Sequence, residues 1–290
     1  MTRIAVVLIG FYICICSSAW ASGEIGYIDD FVGKADRYQL IRDHKLFPVK
    51  LCLPLINGDH ILALDDAGRI QLRMIDHPDV VVWSRGDKDT ALTAIVPKES
   101  YWSGFLDWTV ASLSPFDDQK RERVLTAIRG DGGAKFDVPL LNVPQVMASG
   151  KRIIVIGWLK PSAVIAITIT DKSGKLLVDK SKAAGGLWSS PVLNLISGTY
   201  HISAVSGAAT ITNEIKVVDS TKIPSFPEEL TRASVPEPLR HTVQALWLSA
   251  QDDGRYQLEA LQLISNDTNV RSAKVLSEAL IGGTKFSLPK

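Results

Sequence analysis

Histidine, cysteine and aspartate are the residues of this sequence whose types could support catalysis or metal binding. The five histidines are His44, His60, His77, His201 and His241. Metal sites in proteins commonly combine histidine and cysteine ligands at short, regular spacings. We find no such spacing here, and we therefore predict neither a metal site nor a cofactor site.

Two acidic turns come closest to a catalytic constellation. One is Asp59-His60, and the other is Asp76-His77-Pro78-Asp79. If the two turns met in space, a carboxylate and an imidazole could form an acid–base site. Both stretches are also typical of hydrogen-bonded turns, because aspartate side chains bond to nearby backbone N–H groups. We predict a turn at each place.

Cys52 is the remaining candidate, since a thiol beside His44 or His60 could act as a nucleophile with its base. A reactive thiolate needs a partly exposed, electropositive pocket. Leu51 and Leu53 flank Cys52 in the strand-like run KLCLPL, which predicts a buried side chain. The G-x-S-x-G motif is also missing from the sequence. We therefore predict no catalytic residue.

The composition is that of a folded protein without a preference for nucleic acid. The chain has 290 residues, 46% of them hydrophobic, with 32 Lys and Arg against 31 Asp and Glu. The apolar share excludes general disorder. Phosphate binding needs a surplus of clustered Lys and Arg, so nucleic acid is excluded as a partner. The length predicts two or three domains.

Residues 1–21 have the pattern of a secretory signal peptide. Arg3 precedes an apolar run over residues 4–16, and Ala19 and Ala21 occupy the small-residue positions of a cleavage site. The alternative is an uncleaved membrane anchor, because residues 4–21 are at the lower limit of a bilayer span. We expect cleavage and a periplasmic or secreted protein that has no transmembrane segment and no disulfide framework.

Residues 23–96 are predicted to form a small β-domain. Short apolar runs alternate with turn residues, and Ile70, Leu72 and Met74 share one face of a half-buried strand. Gly58 and Gly68 stand where a tight turn favours positive φ, which a Cβ would oppose. The alternation predicts antiparallel strands with one solvated face.

The same region resembles the FecR-type periplasmic domain, whose usual run ends in the pattern L-GD-I-T-DG-L-F-D. The matching residues are Leu55, Gly58, Asp59, Ile61, Asp66, Gly68, Leu72 and Asp76. The resemblance implies an export-side β-module for protein–protein contact or cell-envelope binding. FecR-type signalling proteins carry a cytoplasmic anti-sigma segment and a membrane span before this domain, so we do not expect direct sigma-factor control.

Residues 97–133 are predicted to form a helical linker of two helices. Its aromatic residues are Tyr101, Trp102, Phe105, Trp108 and Phe116. Several of them recur at helical spacing, and Asp117 or Asp118 can cap the second helix. The aromatic face either docks a partner or a membrane surface, or packs on the flanking β-domains. We expect the packing role.

Residues 135–220 are predicted to form an immunoglobulin-like β-sandwich of seven short strands. Isoleucine recurs at every second position over residues 165–169, which places one face in the core. Tyr200 follows a glycine turn, as a tyrosine does near a late strand of many such sandwiches. Trp158 and Trp188 are expected in the core or at its rim rather than as carbohydrate platforms.

Residues 225–285 are predicted to contain three short amphipathic helices. Apolar residues recur at helical spacing from Leu239, from Tyr256 and from Ala273, and Gly282-Gly283 ends the last helix. The fold class expected for the whole chain is therefore mainly β, with a helical linker and a helical C-terminus. Its β-parts are a small FecR-like domain and an immunoglobulin-like sandwich.

These features favour a non-enzymatic interaction, scaffold or signalling-associated protein of the cell envelope, with an envelope protein as its partner. One alternative is a small periplasmic hydrolase or metal-dependent enzyme with a site between the β-domains. Another is a peptidoglycan- or carbohydrate-binding module that uses Trp83, Trp158 or Trp188.

Overall fold

The computed structural model describes residues 23–65, 68–75, 79–84, 92, 103–126, 136–158, 164–231, 235–267 and 269–288. The predictions for the signal peptide and for Asp66, Asp76, His77, Tyr101 and Trp102 concern residues outside these ranges. The architecture is mainly β, with several sheets and a few helices, as the sequence predicted. None of the described helices is apolar over enough residues to cross a bilayer.

The first described strands form an N-terminal β-module. They are β1 (Glu24–Phe31), β2 (Tyr38–Arg42), β3 (Lys45–Phe47), β4 (Pro54–Ile56), β5 (His60–Ala63), β6 (Arg69–Met74) and β7 (Val80–Ser84). They make two antiparallel sheets with the orders β4-β1-β6-β7 and β3-β2-β5. Alternation along β6 buries Ile70, Leu72 and Met74 in the core of the module, as predicted.

Two local predictions for this module are wrong. Cys52 lies in a turn with φ of 63°, not in a strand, because the chain crosses there from the sheet of β3 to the sheet of β4. Gly68 does not have positive φ; a Cβ there would lie 3.1 Å from the Asp65 carbonyl oxygen, so close approach is what requires glycine. Gly58 does have the predicted positive φ, at 88°.

One helix, α1 (Ser103–Thr126), stands where two helices were predicted. It continues through Pro115, although an interior proline costs a helix about 3 kcal/mol. Asp117 is therefore an interior helical residue and not an N-cap, and its buried carboxylate binds Arg271. This ion pair and the burial of Leu113 offset the cost of the proline and hold the helix together.

Aromatic residues of α1 contact the C-terminal segment of the chain. Phe116 meets Phe286 edge-on, with ring centroids 5.9 Å apart. The Trp108 Nε1–H donates to the Ser287 carbonyl oxygen at 2.9 Å. These rings also pack against a buried cluster that contains strand residues of the β-module and the sandwich, in line with the predicted packing role, whereas the contacts with the C-terminal segment were not predicted.

A sandwich follows, with nine described strands in place of the predicted seven. They are β8 (Gln145–Ala148), β9 (Gly150–Arg152), β10 (Val155–Gly157), β11 (Ile165–Asp171), β12 (Leu176–Ala183), β13 (Leu187–Ser189), β14 (Leu193–Leu195), β15 (Gly198–Ser206) and β16 (Ala209–Val218). The main sheet has the order β12-β11-β15-β16-β8, and β8 runs parallel to β16. The shorter pairs are β9 with β14 and β10 with β13.

Tyr200 fixes the connection from β14 to β15, as in immunoglobulin-like sandwiches. Its hydroxyl donates to the Ile196 carbonyl oxygen at 3.0 Å and accepts the Ile196 N–H at 3.1 Å. Such a tyrosine corner ties the turn to the strand that follows it. The sequence predicted the position of Tyr200 near a late strand, and the hydrogen bonds of its hydroxyl are seen only in the structure.

The three predicted C-terminal helices are α2 (Glu237–Ser249), α3 (Gln257–Ile264) and α4 (Arg271–Ile281). Gly283, with φ of 76°, ends α4 in a Schellman motif, in which the Thr284 N–H donates to the Ala279 carbonyl oxygen. Ile281 packs against Gly157 of β10 so closely that a Cβ on Gly157 would lie 1.7 Å from the Ile281 Cγ2. We call α1 to α4 together the helical layer.

Helix α3 covers the outer edge of β8. The Glu259 carboxylate accepts the Ala148 N–H at 2.9 Å and lies 3.4 Å from Arg152, while the Arg255 carbonyl oxygen accepts the Val146 N–H at 2.7 Å. Burial raises the pKa of Glu259, and the Ala148 N–H and Arg152 oppose that rise. This edge of the main sheet is therefore closed to further strand pairing.

Gly157→Ala is expected to destabilise the protein by about 1–3 kcal/mol, because the added methyl group overpacks the contact between β10 and Ile281. Urea unfolding measures the loss. Gly104→Ala in α1, where nothing lies within 4 Å, is the control and is expected to be neutral or stabilising. If Gly157→Ala costs as much in an Ile281→Ala background as in the wild type, this contact is not the cause.

Glu259→Gln is expected to change how stability depends on pH. Because the folded-state pKa of Glu259 is raised, the unfolded chain ionises first, and ionisation favours unfolding. The stability of the wild type relative to the variant therefore falls as pH rises from about 4.3, the ordinary glutamate pKa, through the raised folded-state pKa. Urea unfolding of both proteins across this range measures the change, and a difference that is constant with pH would contradict it.

Candidate functional site

Side chains from the β-module, the sandwich and the helical layer share one core where these parts meet. Tyr27, Leu51 and Cys52 of the β-module belong to the same buried cluster as Leu113 of α1 and Leu276 of α4. The remaining apolar residues of the β-module form a separate core. We call the shared region the junction, and most of the buried charge described below lies in or beside it.

Arg271, at the start of α4, is the charged centre of the junction. Its Nε and Nη2 atoms donate to Oδ1 of Asp117 on α1 at 2.9 and 2.6 Å, and its Nε lies 3.9 Å from Asp30 on β1. Asp117 is almost fully buried, whereas Arg271 keeps partial access to solvent. Because an unpaired buried carboxylate is strongly unfavourable, this contact fixes α1, α4 and β1 relative to one another.

Cys52 is fully buried at the junction and is not placed for nucleophilic chemistry. Burial raises the pKa of its thiol to about 12, although a hydrogen bond with Ser272 lowers it in part. The Ser272 hydroxyl lies 3.2 Å from the hydroxyl of Thr242, which joins α2 to α4. A thiol with this pKa stays protonated at neutral pH and is unreactive. The predicted burial of Cys52 is confirmed.

A second buried ion pair lies beside the junction and joins β1 to β6. Arg73 Nη2 donates to Asp29 Oδ2 at 3.1 Å. Burial raises the pKa of Asp29 against the lowering effect of Arg73, and burial together with the Asp29 charge raises the pKa of Tyr27. Tyr27 therefore stays protonated at neutral pH, and these groups brace two strands rather than transfer protons.

His44 and His60 line the same surface pocket, which has a volume of about 410 Å³. Asp43 contributes the carboxylate on its wall, and Cys52 does not line it. Among the described residues, no three His, Cys, Asp or Glu side chains are grouped so as to hold a metal ion. The structure thus brings the two histidines together but keeps the thiol away from both.

Asp59 has a structural role in its turn. Its Oδ1 and Oδ2 accept from Nε and Nη2 of Arg42 at 2.8 and 2.7 Å, and Oδ2 also accepts the Ile56 N–H at 2.9 Å. The side chain is fully buried. Asp59 closes a turn by donating its N–H to the Ile56 carbonyl oxygen, as predicted, whereas His60 is the first residue of β5. Residues 76–78 of the other predicted turn lie outside the described residues.

His201 and His241 both face acidic side chains. His201 Nδ1 lies 3.9 Å from Glu214 on the neighbouring strand. His241 Nδ1 lies 2.9 Å from Asp267, and its Nε2 lies 3.5 Å from Glu237. Glu237 and His241 are one helical turn apart on α2, a pairing that the sequence analysis missed. His241 therefore links α2 to the segment before α4.

Trp158 and Trp188 are buried, with only 3% and 6% of their surfaces exposed. The Trp188 Nε1–H donates to the Ser181 hydroxyl at 3.0 Å. A carbohydrate platform needs an exposed ring face, so both tryptophans are core residues, as predicted. Trp83 on β7 packs against the core of the β-module.

The hairpin of β2 and β3 presents apolar side chains to solvent. Leu46 is 65% exposed and Phe47 is 37% exposed. The turn residues Asp43 and His44 have φ of 49° and 61°, as a type I′ turn requires. The Arg42 guanidinium lies 5.4 Å from the centre of the Phe47 ring. β3 is the edge strand of its sheet, and no described strand pairs with its outer side.

Both edges of the main sandwich sheet are protected, in contrast to β3. Helix α3 closes the edge at β8, as described above. The opposite edge strand, β12, carries Asp179, Lys180 and Lys182, and Lys180 lies in a bulge with φ of 44°. Charges, bulges and covering helices are the usual means of preventing edge-to-edge pairing. The exposed apolar edge of β3 is therefore a candidate binding surface.

The sequence analysis identified neither the junction contacts nor the exposed hairpin. Asp117 was considered only as a helix cap, and the apolar run around Cys52 was interpreted as a strand. Nothing in a short apolar run shows whether its side chains face solvent, because that depends on packing with distant segments. The Asp43-His44 dipeptide was a weak signal for the hairpin turn, since aspartate tolerates positive φ.

No family model matches this chain, and no match to a curated protein is found. Among solved structures, the M1 domain from titin is 13% identical, with a TM-score of 0.20, and the match covers 27% of this chain and 87% of that domain. Domains 4 and 5 of the S-layer protein SbsC are 9% identical, with a TM-score of 0.19 and coverage of 69% of this chain and 74% of that one.

A structure of SbsC domains 4–9 is also 9% identical, with a TM-score of 0.21 and coverage of 67% of this chain and 23% of that one. At these TM-scores the similarity adds nothing to what the strand pairing of this chain shows by itself. The resemblance of residues 23–96 to the FecR-type domain stays a prediction.

Proposed function

We propose that this protein is an exported, non-enzymatic interaction protein of the cell envelope, whose β2–β3 hairpin binds an extended segment of an envelope protein. The observation that carries the proposal is the edge of β3, where Leu46 and Phe47 are exposed beside Lys45 and no described strand pairs with the outer side. An extended segment can add to such an edge through main-chain hydrogen bonds, while side-chain contacts provide specificity. Exposed aromatic residues commonly anchor such interfaces.

The junction supports a scaffold role for the rest of the chain. Because Arg271 ties α4 to both α1 and β1, the helical layer holds the β-module, and the hairpin is presented from a rigid base. A preorganised binding edge loses less conformational entropy on association than a mobile one. The proposal includes export directed by residues 1–21 and a FecR-type character for residues 23–96. These two sequence features are the reason for proposing the cell envelope as the location.

The double substitution Leu46→Glu and Phe47→Ser is expected to abolish capture of a partner from envelope extract by the purified protein. Both side chains are exposed, so the change removes the contact surface without opening a cavity. The readout is the set of extract proteins retained by the wild type and lost by the variant. Leu176→Glu, at an equally exposed leucine on β12, is the matched control and is expected to retain them.

Three results would count against the proposal. One is the retention of the same proteins by the double variant. Another is recovery of the chain in the cytoplasmic fraction with residues 1–21 intact. The third is an enzymatic turnover that is lost on replacing Cys52 or His60 alone, since an interaction protein has no reaction to lose.

Asp117→Asn is expected to destabilise the protein by about 3 kcal/mol, because it leaves the Arg271 guanidinium without its buried partner. Hydrogen exchange is expected to accelerate at β1 and at the start of α4 before it changes in β15 and β16, since the junction opens first. Asp179→Asn, on the exposed edge of β12, is the control. Equal acceleration throughout the sandwich would show that the pair does not act at the junction.

A further inference from the structure

A half-open groove lies where α3 and α4 meet β10 and β13. Its volume is about 490 Å³, within the range of about 300–1,000 Å³ that is usual for small-molecule sites. The aliphatic residues that line it are Ile153, Val155, Leu187, Leu261, Ile264 and Ile281. Aromatic side chains are not among its described lining residues. The surface therefore suits a flexible hydrocarbon chain better than a sugar or a planar ring.

The charged residues on the rim of the groove are Lys274, Glu278 and Asp267. Asp267 already faces His241, with Nδ1 at 2.9 Å from its carboxylate. Glu278 lies one turn after Lys274 on α4 and already interacts with another residue. Lys274 forms no ion pair with any residue that the structure describes. Of the three charges, the Lys274 ammonium is the one available to a ligand.

We propose that this groove binds a single-chain anionic amphiphile. The hydrocarbon chain lies against the aliphatic residues between the sandwich and the helices, and the anionic head group meets the Lys274 ammonium at the rim. Burial of the chain provides most of the binding free energy, and the charge pair selects the sign of the head group. The groove and the hairpin consist of different residues, so this inference does not depend on the proposed function.

The test is isothermal titration calorimetry of the full chain with laurate and with dodecyltrimethylammonium, both below their micellar concentrations. The wild type is expected to bind laurate at one site and more tightly than the cationic amphiphile. Lys274→Gln is expected to weaken laurate binding about fivefold, as loss of an exposed charge contact does. Lys274→Glu is expected to reverse the order of the two amphiphiles.

Leu187→Gln is expected to weaken both amphiphiles about tenfold, because it removes apolar surface that a bound chain would cover. Leu187 is 49% exposed and Leu176, outside the groove, is 51% exposed, so Leu176→Gln is the matched control. Lys216→Gln on β16 is the control for the charge. Neither control is expected to change binding, and circular dichroism and thermal unfolding verify that every variant is folded.

Several outcomes overturn the inference. They are laurate binding that is insensitive to both Leu187→Gln and Lys274→Gln, equal affinity of the wild type for the two amphiphiles, and no laurate binding at all. Binding to phosphatidylglycerol vesicles without binding of monomeric laurate, or binding of an acidic aliphatic peptide alone, overturns it as well, since the occupant would then be a membrane surface or a protein.

Discussion

The ion pair between Arg271 and Asp117 is the contact on which the arrangement of the β-module and the sandwich depends. It joins the first and last helices, and Arg271 also approaches Asp30 on the first strand. Apolar burial at the junction supplies stability but is not directional. A guanidinium that binds Asp117 and also lies near Asp30 restricts the relative positions of α1, α4 and β1.

The polar groups around this pair also link separate elements of the fold. Cys52 and the hydroxyls of Ser272 and Thr242 form a buried polar chain that runs from the β-module across α4 to α2. Each member lacks access to water, and displacement of α4 would remove Ser272 from both Cys52 and Thr242, although Thr242 would keep its bond to the Pro238 carbonyl oxygen. The raised pKa of the Cys52 thiol is a consequence of this role, because the burial that locates the junction also suppresses thiolate chemistry.

The sequence predicted those features that are local or periodic. Alternation placed Ile70, Leu72 and Met74 in a core, a glycine turn located Tyr200 at its corner, and helical spacing with terminal glycines delimited α4. It did not predict contacts between residues that are far apart in the chain. Arg271 and Asp117 are separated by 154 positions, and nothing in the residues around either one specifies the other.

The difference between local patterns and distant contacts also explains the two wrong predictions of backbone conformation, in α1 and at Cys52. Two aspartates that can cap a helix, Asp117 and Asp118, predicted a helix boundary inside α1, but tertiary contacts of Asp117 and Leu113 override that local preference. Leucines on both sides of Cys52 predicted a strand, although the chain turns there to reach another sheet. At Cys52 the burial was predicted correctly and the backbone conformation was not, since burial follows from side-chain chemistry and conformation from the path of the chain.

The edges of the described sheets differ in how they are protected. The sandwich closes one edge of its main sheet with α3 and places a bulge and charges on the other. The same chain leaves Leu46 and Phe47 exposed on β3, where a charged residue at either position would protect the edge without disturbing a core. An exposed apolar edge is an aggregation hazard, and the proposed function assigns a use to the one at β3.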